Sequence, residues 1–508
     1  MSIPAPCRHN GPVDRSNHDT SDRSKTVGSD FLQLTLAQAP PGGMADWLTQ
    51  QLRQAITDGR LPVGSQLPPT RVLASELRVS RGVVTEAYRR LSEDGHVEGR
   101  GRHGTVVVAA PMLPTGPTQA DTPVAAPSAE TLFTPTPGTD IFDRIRQAPA
   151  RIDLFPGVPD LTAFPRSAWL RAERAVLRQL SAADFGYGDP RGTPTLRRAV
   201  AGWLARNRGI RVDPAEVLIV AGTAQALGLV GQVLIGHGIR QMAVEDPGSL
   251  GVRQQLASTG LATPPVPVDD RGIHVAALRA SGVRAVAVTP AHQYPTGVVL
   301  EGERRRELMR WAHDGGMILE DDYDAEHRYD RPPVPALRSM LPDRVCYTGS
   351  VSKLLAPALR VGWVLAPPAY REDLVEAKRY ADLGNAVLPQ LVLAHLMESG
   401  ALERHLRLLR RRHRRRRDAM IEAVKTYLPG AVVHGAAAGL HLLVTFPGGF
   451  SDVDLAAAAY TRGVKTQPLS WCSQRPTRPG LVLGYAARTP TDITEGVALI
   501  GDALRHLR

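Results

Sequence analysis

The stretch 345-VCYTGSVSKLLAPALRVGWVLAP-367 decides the fold, because it places a single lysine, Lys353, directly after an apolar run. Residues 345–350 are rich in β-favouring side chains and predict a strand. A lone lysine after a strand is most often a surface residue. The residue types that surround it along the chain argue for a chemical role instead.

An acidic strand precedes this lysine. The segment MILEDDYD, residues 317–324, predicts a strand that ends in carboxylates, and Asp321 and Tyr323 share one face because they are two residues apart. Lys353 follows Asp321 by 32 residues, and Arg360 follows Lys353 by seven. An amine, a carboxylate, a phenol and a cation are the groups that pyridoxal 5′-phosphate requires of its site. Burial and cationic neighbours can lower the pKa of such an amine and make it nucleophilic.

A phosphate would need a cradle, and VLIVAGTAQALGLV (217–230) offers one. It predicts a strand, a turn at Gly222 and a helix that starts at Thr223. The free amides and the dipole of a helix N-terminus favour an anion. Taken alone, the segment could equally be an ordinary strand-to-helix turn.

With these spacings, residues 151–508 resemble the aspartate aminotransferase superfamily of fold type I. The resemblance implies that Lys353 bonds to the cofactor, Asp321 pairs with its pyridinium nitrogen and Tyr323 contacts its ring oxygen. It also implies a homodimer. The implied phosphate ligands are Thr223, Ala224, Ser350 and Arg360, together with Tyr187, in FGYGDPRGTPTLR, from the neighbouring subunit.

A smaller module precedes this one. Met44, Trp47, Leu48, Leu52 and Ile56 lie on one helical face. RVLASEL (71–77) predicts a second helix, Ser80 is a good N-cap for a third, and HVEGRGRHGTVVV predicts two strands joined by a basic tip. This order is typical of a winged helix-turn-helix, whose third helix enters the major groove. A three-helix bundle with solvated arginines is the alternative, and nine basic against seven acidic residues over 44–104 do not separate the two.

ITDGRLPVGSQLPPTRVLASELRVSRGVVTEAYRRLSEDGHVEGRGRHGTVV resembles the GntR family of bacterial repressors along its entire length. The sequence departs at Gly82 and Val83, where relatives often carry polar residues, so no base preference is carried over. The residues that the resemblance implies touch DNA are Arg71, Ser80, Arg81, Thr85, Arg100 and Gly101.

We therefore predict an α/β protein in four parts: a disordered leader (1–38), a DNA-binding winged helix-turn-helix domain (39–110), a Pro-rich linker (111–150) and an aminotransferase-like domain that binds pyridoxal 5′-phosphate (151–508). This arrangement resembles the MocR regulators, and PAHQYPTG, EDDYDAEHRYD and GSVSKLLAPALRVGW match that subfamily. The resemblance implies a transcriptional regulator that binds double-stranded operator DNA. Its effector would be the cofactor itself or an amine that reacts with it.

Two departures keep alternatives open. Ser249 replaces an aromatic residue that usually stacks on the pyridine ring, and Val482 replaces an arginine that usually clamps a substrate carboxylate. Because all the residues expected to attach the cofactor are present, an active aminotransferase with an accessory DNA-binding head stays open as an alternative. Val482 argues against this alternative, because it cannot bind a substrate carboxylate as arginine does. The change at Ser249 leaves open a DNA-binding protein with a cofactor-free body.

Composition sets wider bounds. The net charge of +11 suggests an acidic partner, and residues 404–417 hold nine arginines, which we interpret as a solvated helix face in preference to a second DNA contact. Three distant cysteines, no signal peptide and no apolar run of about 18 residues predict a cytoplasmic protein without a membrane span. His292, His327 and His441 lack metal-ligand spacing, so we predict structural or pocket roles and no metal centre.

Overall fold

The computed structural model describes residues 43–101, 104–110, 128–330 and 334–507. The described residues divide into two compact units, one within residues 1–125 and the other within residues 126–508. The predicted leader (1–38) and residues 111–127 of the predicted linker lie outside the described residues.

The small unit contains three helices and a hairpin, as predicted: α1 (Met44–Thr57), α2 (Thr70–Glu76), α3 (Arg81–Glu93), β1 (Val97–Gly99) and β2 (Thr105–Val107). Ser80 caps α3, and its hydroxyl accepts a hydrogen bond from the Val83 amide at 3.4 Å. β1 and β2 pair antiparallel. The apolar faces of all three helices pack into one core, which includes Leu52, Ile56 and Leu91.

Residues 128–150 differ from the prediction of a linker. They form α4 (Ala129–Leu132) and α5 (Ile141–Gln147), followed by β3 (Ile152–Asp153). Leu132, Phe133, Ile141 and Ile145 are buried in the core of the large unit, and the Phe133 ring stacks on Trp471 with centroids 5.6 Å apart. The prolines suggested an extended segment, but these four apolar side chains bury enough surface to hold it against the core.

A mixed eight-stranded sheet forms the centre of the large unit. Its order is β4 (Leu218–Val220), β11 (Gly362–Leu365), β10 (Val345–Ser350), β9 (Met317–Asp322), β8 (Ala285–Val288), β5 (Ala243–Asp246), β6 (Pro265–Asp269) and β7 (Gly272–Ile273). Strands β10, β9, β8, β5 and β6 run parallel, whereas β11 is antiparallel to both of its neighbours. Every residue of β9 and β10 is buried, as expected of strands covered on both faces.

The helices that accompany this sheet are α6 (Arg166–Leu177), α7 (Pro194–Arg208), α8 (Thr223–Gly236), α9 (Leu250–Ala257), α10 (Val275–Ala280), α11 (Gly302–His313), α12 (Pro368–Asp382) and α13 (Val387–Glu398). A second, antiparallel sheet has the order β12 (Val432–His434), β13 (His441–Thr445), β16 (Gly480–Gly484) and β15 (Gln467–Pro468). β14 (Val464–Lys465) pairs with β3, and α15 (Asp452–Thr461) and α16 (Pro490–Leu507) complete this region.

The arginine-rich run lies in the long helix α14 (Ala401–Tyr427). Leu402, Leu406 and Leu409 form the predicted buried stripe. Arg412 and Arg416 both pair with the buried Asp160 carboxylate, at 3.0 and 2.8 Å, so the run is not solely a solvated face. Within the described part of the chain, no helix has the length and hydropathy required to cross a bilayer.

Candidate functional site

The register of four strands brings the predicted site segments to one edge of the central sheet. Thr348 lies opposite Asp321, which places the end of β10 beside the end of β9. Ser350 lies opposite Gly362, and Gly362 lies opposite Val220. The lysine loop, the acidic strand and the start of α8 therefore meet where an open α/β sheet usually binds its ligand.

Lys353 lies three residues beyond β10, and its Nζ atom donates a hydrogen bond to the Gly157 carbonyl. The loop itself is held by His327, whose Nε2 atom is 3.1 Å from the Lys353 carbonyl oxygen. Burial lowers the pKa of the Lys353 amine, while the carboxylates of Asp324 and Asp321 act in the opposite direction. Since a lowered pKa increases the neutral fraction, the amine is suited to act as a nucleophile.

Asp321 is buried at the end of β9. The Thr348 hydroxyl donates to its Oδ1 atom at 3.1 Å. Burial raises the pKa of this carboxyl to about 7, against the effect of the hydrogen bond. A cationic ring nitrogen beside it would favour the ionised form. Asp321 lines a cavity together with Leu227, Val244, Glu245, Gly248, Ser249, Val252, Ala287, Val288 and Thr289.

Sequence spacing offers no signal for Glu245, which is fully buried on β5 beside this cavity. Its Oε2 atom accepts hydrogen bonds from the Thr289 amide at 3.0 Å and the Thr289 hydroxyl at 2.7 Å. Burial raises the pKa of Glu245 to about 7. The site thus contains two carboxyls, Glu245 and Asp321, that are partly protonated near neutral pH.

The predicted phosphate ligands surround the N-terminus of α8. Thr223 is the first residue of α8, and its N-cap, Gly222, supplies no side-chain hydrogen bond to the first turn. Arg360 donates to the Ala221 carbonyl, and a Cβ atom on Gly222 would lie 3.3 Å from Arg360 Nη1. With φ at +82° and this close neighbour, position 222 requires glycine.

Two serine hydroxyls lie at the end of β10 and just beyond it. The Ser350 hydroxyl donates to Ser352 Oγ at 2.8 Å and accepts from the Ser352 amide at 3.0 Å. Ala224 follows Thr223 in the first turn of α8, where backbone amides have no helical partner. Amides, hydroxyls and a guanidinium are the donors that a phosphate accepts.

Tyr323 is held by His292, and sequence spacing does not reveal this contact. Its hydroxyl donates to the His292 carbonyl at 3.1 Å, and His292 Nδ1 lies 3.0 Å from the phenol oxygen. The same nitrogen lies 3.0 and 3.2 Å from the two oxygens of Asp324. His292, Asp324 and His441 have polar atoms within 4.8 Å of one another. Because His292 Nδ1 already has these partners, we interpret the group as a hydrogen-bonded wall of the site.

Three positions singled out from the sequence, Tyr187, Ser249 and Val482, take part in none of the hydrogen bonds described above. Tyr187 is 95% exposed, so within one subunit it does not reach the site. Ser249 caps α9 and accepts a hydrogen bond from the Val252 amide at 3.3 Å, which gives a structural reason for a small polar residue there. Val482 is buried on β16 in an apolar cluster with Leu443, Leu469 and Cys472.

The predicted DNA contacts are all exposed on the small unit. Arg71 lies on α2, and Arg81 begins α3, where its Nε atom donates to Thr70 Oγ1 at 3.4 Å. Arg100 pairs with Glu98 at 3.1 Å in the hairpin. The exposed positions are Arg71, Ser80, Arg81, Thr85, Arg100 and Gly101.

These residues fit pyridoxal 5′-phosphate. An acid suited to the ring nitrogen, a phenol suited to the ring oxygen and donors suited to the phosphate lie on the segments that meet the Lys353 loop at one edge of the sheet, and a cavity lies beside Asp321. Asp321 and Tyr323 would hold the ring, and Ser350, Arg360 and the first turn of α8 would hold the phosphate.

Comparison with known proteins agrees with both units. Residues 45–107 match the family "Bacterial regulatory proteins, gntR family", and residues 157–499 match "Aminotransferase class I and II". The chain is 32% identical to the probable rhizopine catabolism regulatory protein MocR of Rhizobium meliloti, over 91% of this chain and 93% of that protein. It is 30% identical to the pyridoxine biosynthesis transcriptional regulator PdxR of Corynebacterium glutamicum, over 93% and 98% of the two chains.

Among solved structures, the α-aminoadipate aminotransferase LysN of Thermus thermophilus, complexed with N-(5′-phosphopyridoxyl)-L-leucine, is similar at a TM-score of 0.66 and 28% identity. The match covers 73% of this chain and 95% of that one. Fold and comparisons together define a helix-turn-helix transcriptional regulator joined to an aminotransferase-type domain. Within that class, the chain belongs to the MocR-type regulators of the GntR family.

Proposed function

We propose that this regulator binds pyridoxal 5′-phosphate at Lys353 and uses it to sense either the cofactor itself or an amine that reacts with it. When bound, the cofactor supplies an aldehyde that condenses with a primary amine, forming a C=N bond and releasing water. Lys353 supplies that amine. Lys353 would hold the cofactor through this amine, and an effector with a primary amine would compete with Lys353 for the same aldehyde.

The observation that supports this proposal is that the segments carrying Lys353, Asp321 and Arg360 meet at one edge of the sheet, where Asp321 also lines a cavity. Arg360 and the Thr223 amide provide positive partners for the phosphate at one end. Asp321 provides an acid at the other. The reactive amine lies between elements whose relative positions are fixed by strand register.

Uptake of the cofactor by the purified protein tests the proposal. Wild-type protein mixed with pyridoxal 5′-phosphate and then freed of unbound cofactor should show absorbance between about 330 and 430 nm, as expected of the attached cofactor. Lys353→Ala should not gain it. If wild-type protein stays colourless, the cofactor-free alternative is correct, and the site serves another purpose.

A homodimer is the proposed assembly. Phe185 and Tyr187 are 69% and 95% exposed, and Tyr380 and Leu383 are 80% and 56% exposed. The two segments are neighbours, because a Cβ atom on Gly384 would lie 3.4 Å from Pro190 Cα. Gln225, in the first turn of α8, also donates to Asp382 at 2.8 Å. The exposed apolar residues thus lie beside the proposed phosphate site, where a second subunit could contribute Tyr187.

The small unit would bind operator DNA through α3 and the hairpin, with Arg71, Ser80, Arg81, Thr85, Arg100 and Gly101 at the interface. A dimer would present two such units to two half-sites. Ligand can change DNA affinity only by binding two conformations differently, so effector and operator should influence each other reciprocally. The predicted cytoplasmic location agrees with a partner of this kind.

Amino-acid turnover is the second candidate, since the complete cofactor set could support it. Val482 argues against it, because an apolar side chain on β16 cannot clamp a carboxylate. L-amino acids added to cofactor-loaded protein should therefore convert the bound cofactor slowly, if at all. Rapid spectral conversion followed by release of the keto acid would establish the aminotransferase instead.

A further inference from the structure

Behind the proposed ring site, Tyr323, His292 and Asp324 form a continuous hydrogen-bonded chain. His292 and Asp324 are each 1% exposed, so water contributes little to these contacts. His292 Nδ1 lies 3.0 Å from the Tyr323 hydroxyl oxygen, and 3.0 and 3.2 Å from the two carboxylate oxygens of Asp324. One ring nitrogen therefore joins a phenol to a carboxylate.

The direction of these bonds follows from their partners. The Tyr323 hydroxyl donates its only hydrogen to the His292 carbonyl, at 3.1 Å, so the phenol oxygen is left as an acceptor. The carboxylate of Asp324 is also an acceptor. His292 Nδ1 can approach both only if it carries the hydrogen, and Asp324 thereby selects this tautomer.

The other ring nitrogen is consistent with this assignment. His292 Nε2 is buried and has no hydrogen-bond partner within the described residues. A hydrogen on Nε2 would be buried without an acceptor, at a cost in free energy. The ring is also tightly confined, because a Cβ atom on Gly439 would overlap it, and φ at Gly439 is +83°. His292 is therefore held in one place with a hydrogen on Nδ1.

We propose that Asp324, acting through the Nδ1–H of His292, is a positioning residue that directs the Tyr323 hydroxyl towards the ring oxygen of the cofactor. The proposal rests on the proposed cofactor site. Because His292 donates to the phenol oxygen, the single hydrogen of Tyr323 is free to turn from the His292 carbonyl to a ligand. An accepted hydrogen bond also polarises the phenol and makes it a better donor.

Electrostatics support the arrangement. Burial raises the pKa of Tyr323 well above its usual value, and the Asp324 carboxylate raises it further, so the phenol keeps its hydrogen. The same carboxylate opposes the effect of burial on the pKa of Lys353. The ionisable groups that face Tyr323 and Lys353 from the surrounding elements are Asp321, Asp324, Glu245, His292, Tyr294 and His441.

A double-mutant cycle on the cofactor-loaded protein tests the proposal. The readout is the pH midpoint of the bound cofactor's visible absorbance, measured for wild type, Asp324→Asn, His292→Leu and the double variant. We expect each single variant to move the midpoint by about one pH unit, the scale of one buried charge or lost donor. If Asp324 acts through His292, the double variant should match the larger single shift and not the sum.

Matched variants separate positioning from simple disruption. His292→Asn keeps an N–H near the Nδ1 position. Its absorbance midpoint should therefore lie closer to the wild-type pH than the midpoint of His292→Leu does. The surface pair His237 and Asp373, joined at 2.6 Å and exposed, provides the control, and Asp373→Asn should leave the midpoint unchanged. Additive shifts, or no shifts in variants that bind the cofactor, would overturn the proposal.

A second measurement does not depend on the cofactor. Nitrogen NMR of full-length protein labelled at histidine, with the His292 signals assigned by comparison with His292→Asn, should show a hydrogen on Nδ1 of His292 and none on Nε2. A hydrogen on Nε2 of His292, or none on Nδ1, would overturn the proposal. If wild-type protein gains no absorbance with cofactor, the proposed function fails; if it does but the cycle is additive, this inference alone fails.

Discussion

The Thr348 hydroxyl donates a hydrogen bond of 3.1 Å to Asp321 Oδ1 across two neighbouring parallel strands. This contact fixes the carboxyl at the end of β9, next to the proposed ring site. Burial nevertheless raises its pKa from the usual 3.8 to about 7, although the Thr348 hydrogen bond and the Lys353 amine act in the opposite direction, so the carboxyl is costly to ionise.

A pH-dependent stability difference follows for cofactor-free protein. A carboxyl whose pKa is higher in the folded protein than in the unfolded chain stabilises the fold at low pH. For Asp321 this contribution is lost as the pH rises from 3.8, the pKa in the unfolded chain, through about 7, the pKa in the folded protein. Asp321→Asn, which is neutral at all pH values, should match wild type under acidic conditions and be more stable in mild alkali, by roughly 2 to 4 kcal/mol. Thermal unfolding across this range measures the difference. The control variant Asp270→Asn, at an exposed position, should show no such pH-dependent gain in stability. If the stability difference between Asp321→Asn and wild type stayed the same at every pH, the raised pKa of Asp321 would be contradicted.

Arg360 should recognise the phosphate and not the ring. Arg360→Ala should weaken binding of pyridoxal 5′-phosphate by about 10- to 100-fold, the range expected for a charge-assisted hydrogen bond. Binding of pyridoxal, which lacks the phosphate, should hardly change. Fluorescence titrations with both compounds measure this, with the exposed Arg344→Ala as control. Equal losses for both compounds would remove Arg360 from the phosphate site.

Tyr187 should act across the subunit interface. In a mixed dimer of Tyr187→Phe and Lys353→Ala subunits, one site has both wild-type residues and the other has neither. We expect Tyr187→Phe alone to bind cofactor weakly and the mixed dimer to recover about half of the wild-type tight sites. Cofactor titration of separately tagged, co-purified subunits measures this. No recovery in a dimer that forms normally would show that Tyr187 serves its own subunit or none.

The helix α3 arginines should differ in their effect on DNA. Arg81 begins the helix, whereas Arg89 is paired with Glu86 at 2.6 Å and with Glu93. Arg81→Ala should weaken operator binding by about 1 to 3 kcal/mol, and Arg89→Ala should change it little. Anisotropy titrations at several salt concentrations also report lost phosphate contacts through the salt slope. Equal effects of the two variants would indicate general charge loss in place of a specific contact.

The sequence supported prediction of the fold and of the groups that lie on continuous motifs. Lys353 and Arg360 share one loop, and Asp321 ends an apolar strand, so residue type and position along the chain were informative. The helices of the small unit could be predicted because their apolar periodicity and the Ser80 cap are local signals.

Contacts between distant loops could not be predicted in the same way. His292 and Asp324 are 32 residues apart and meet only because the strands β8 and β9 are adjacent. Residues 128–150 have a linker-like composition, yet four apolar side chains bind them to the core. Ser249 suggested a lost stacking partner, whereas its hydroxyl caps α9. In the first two cases tertiary packing decides and local sequence does not record it, whereas the Ser249 cap is a local contact with the Val252 amide.

Chemical trapping at Lys353 tests the central claim most directly. Wild-type protein would be mixed with pyridoxal 5′-phosphate, reduced with borohydride and digested, and the modified peptide would be located by mass spectrometry. We predict one stoichiometric cofactor adduct on Lys353, absent when the protein is left without cofactor. A labelled peptide from elsewhere in the chain, or no stoichiometric label despite excess cofactor, would contradict the account.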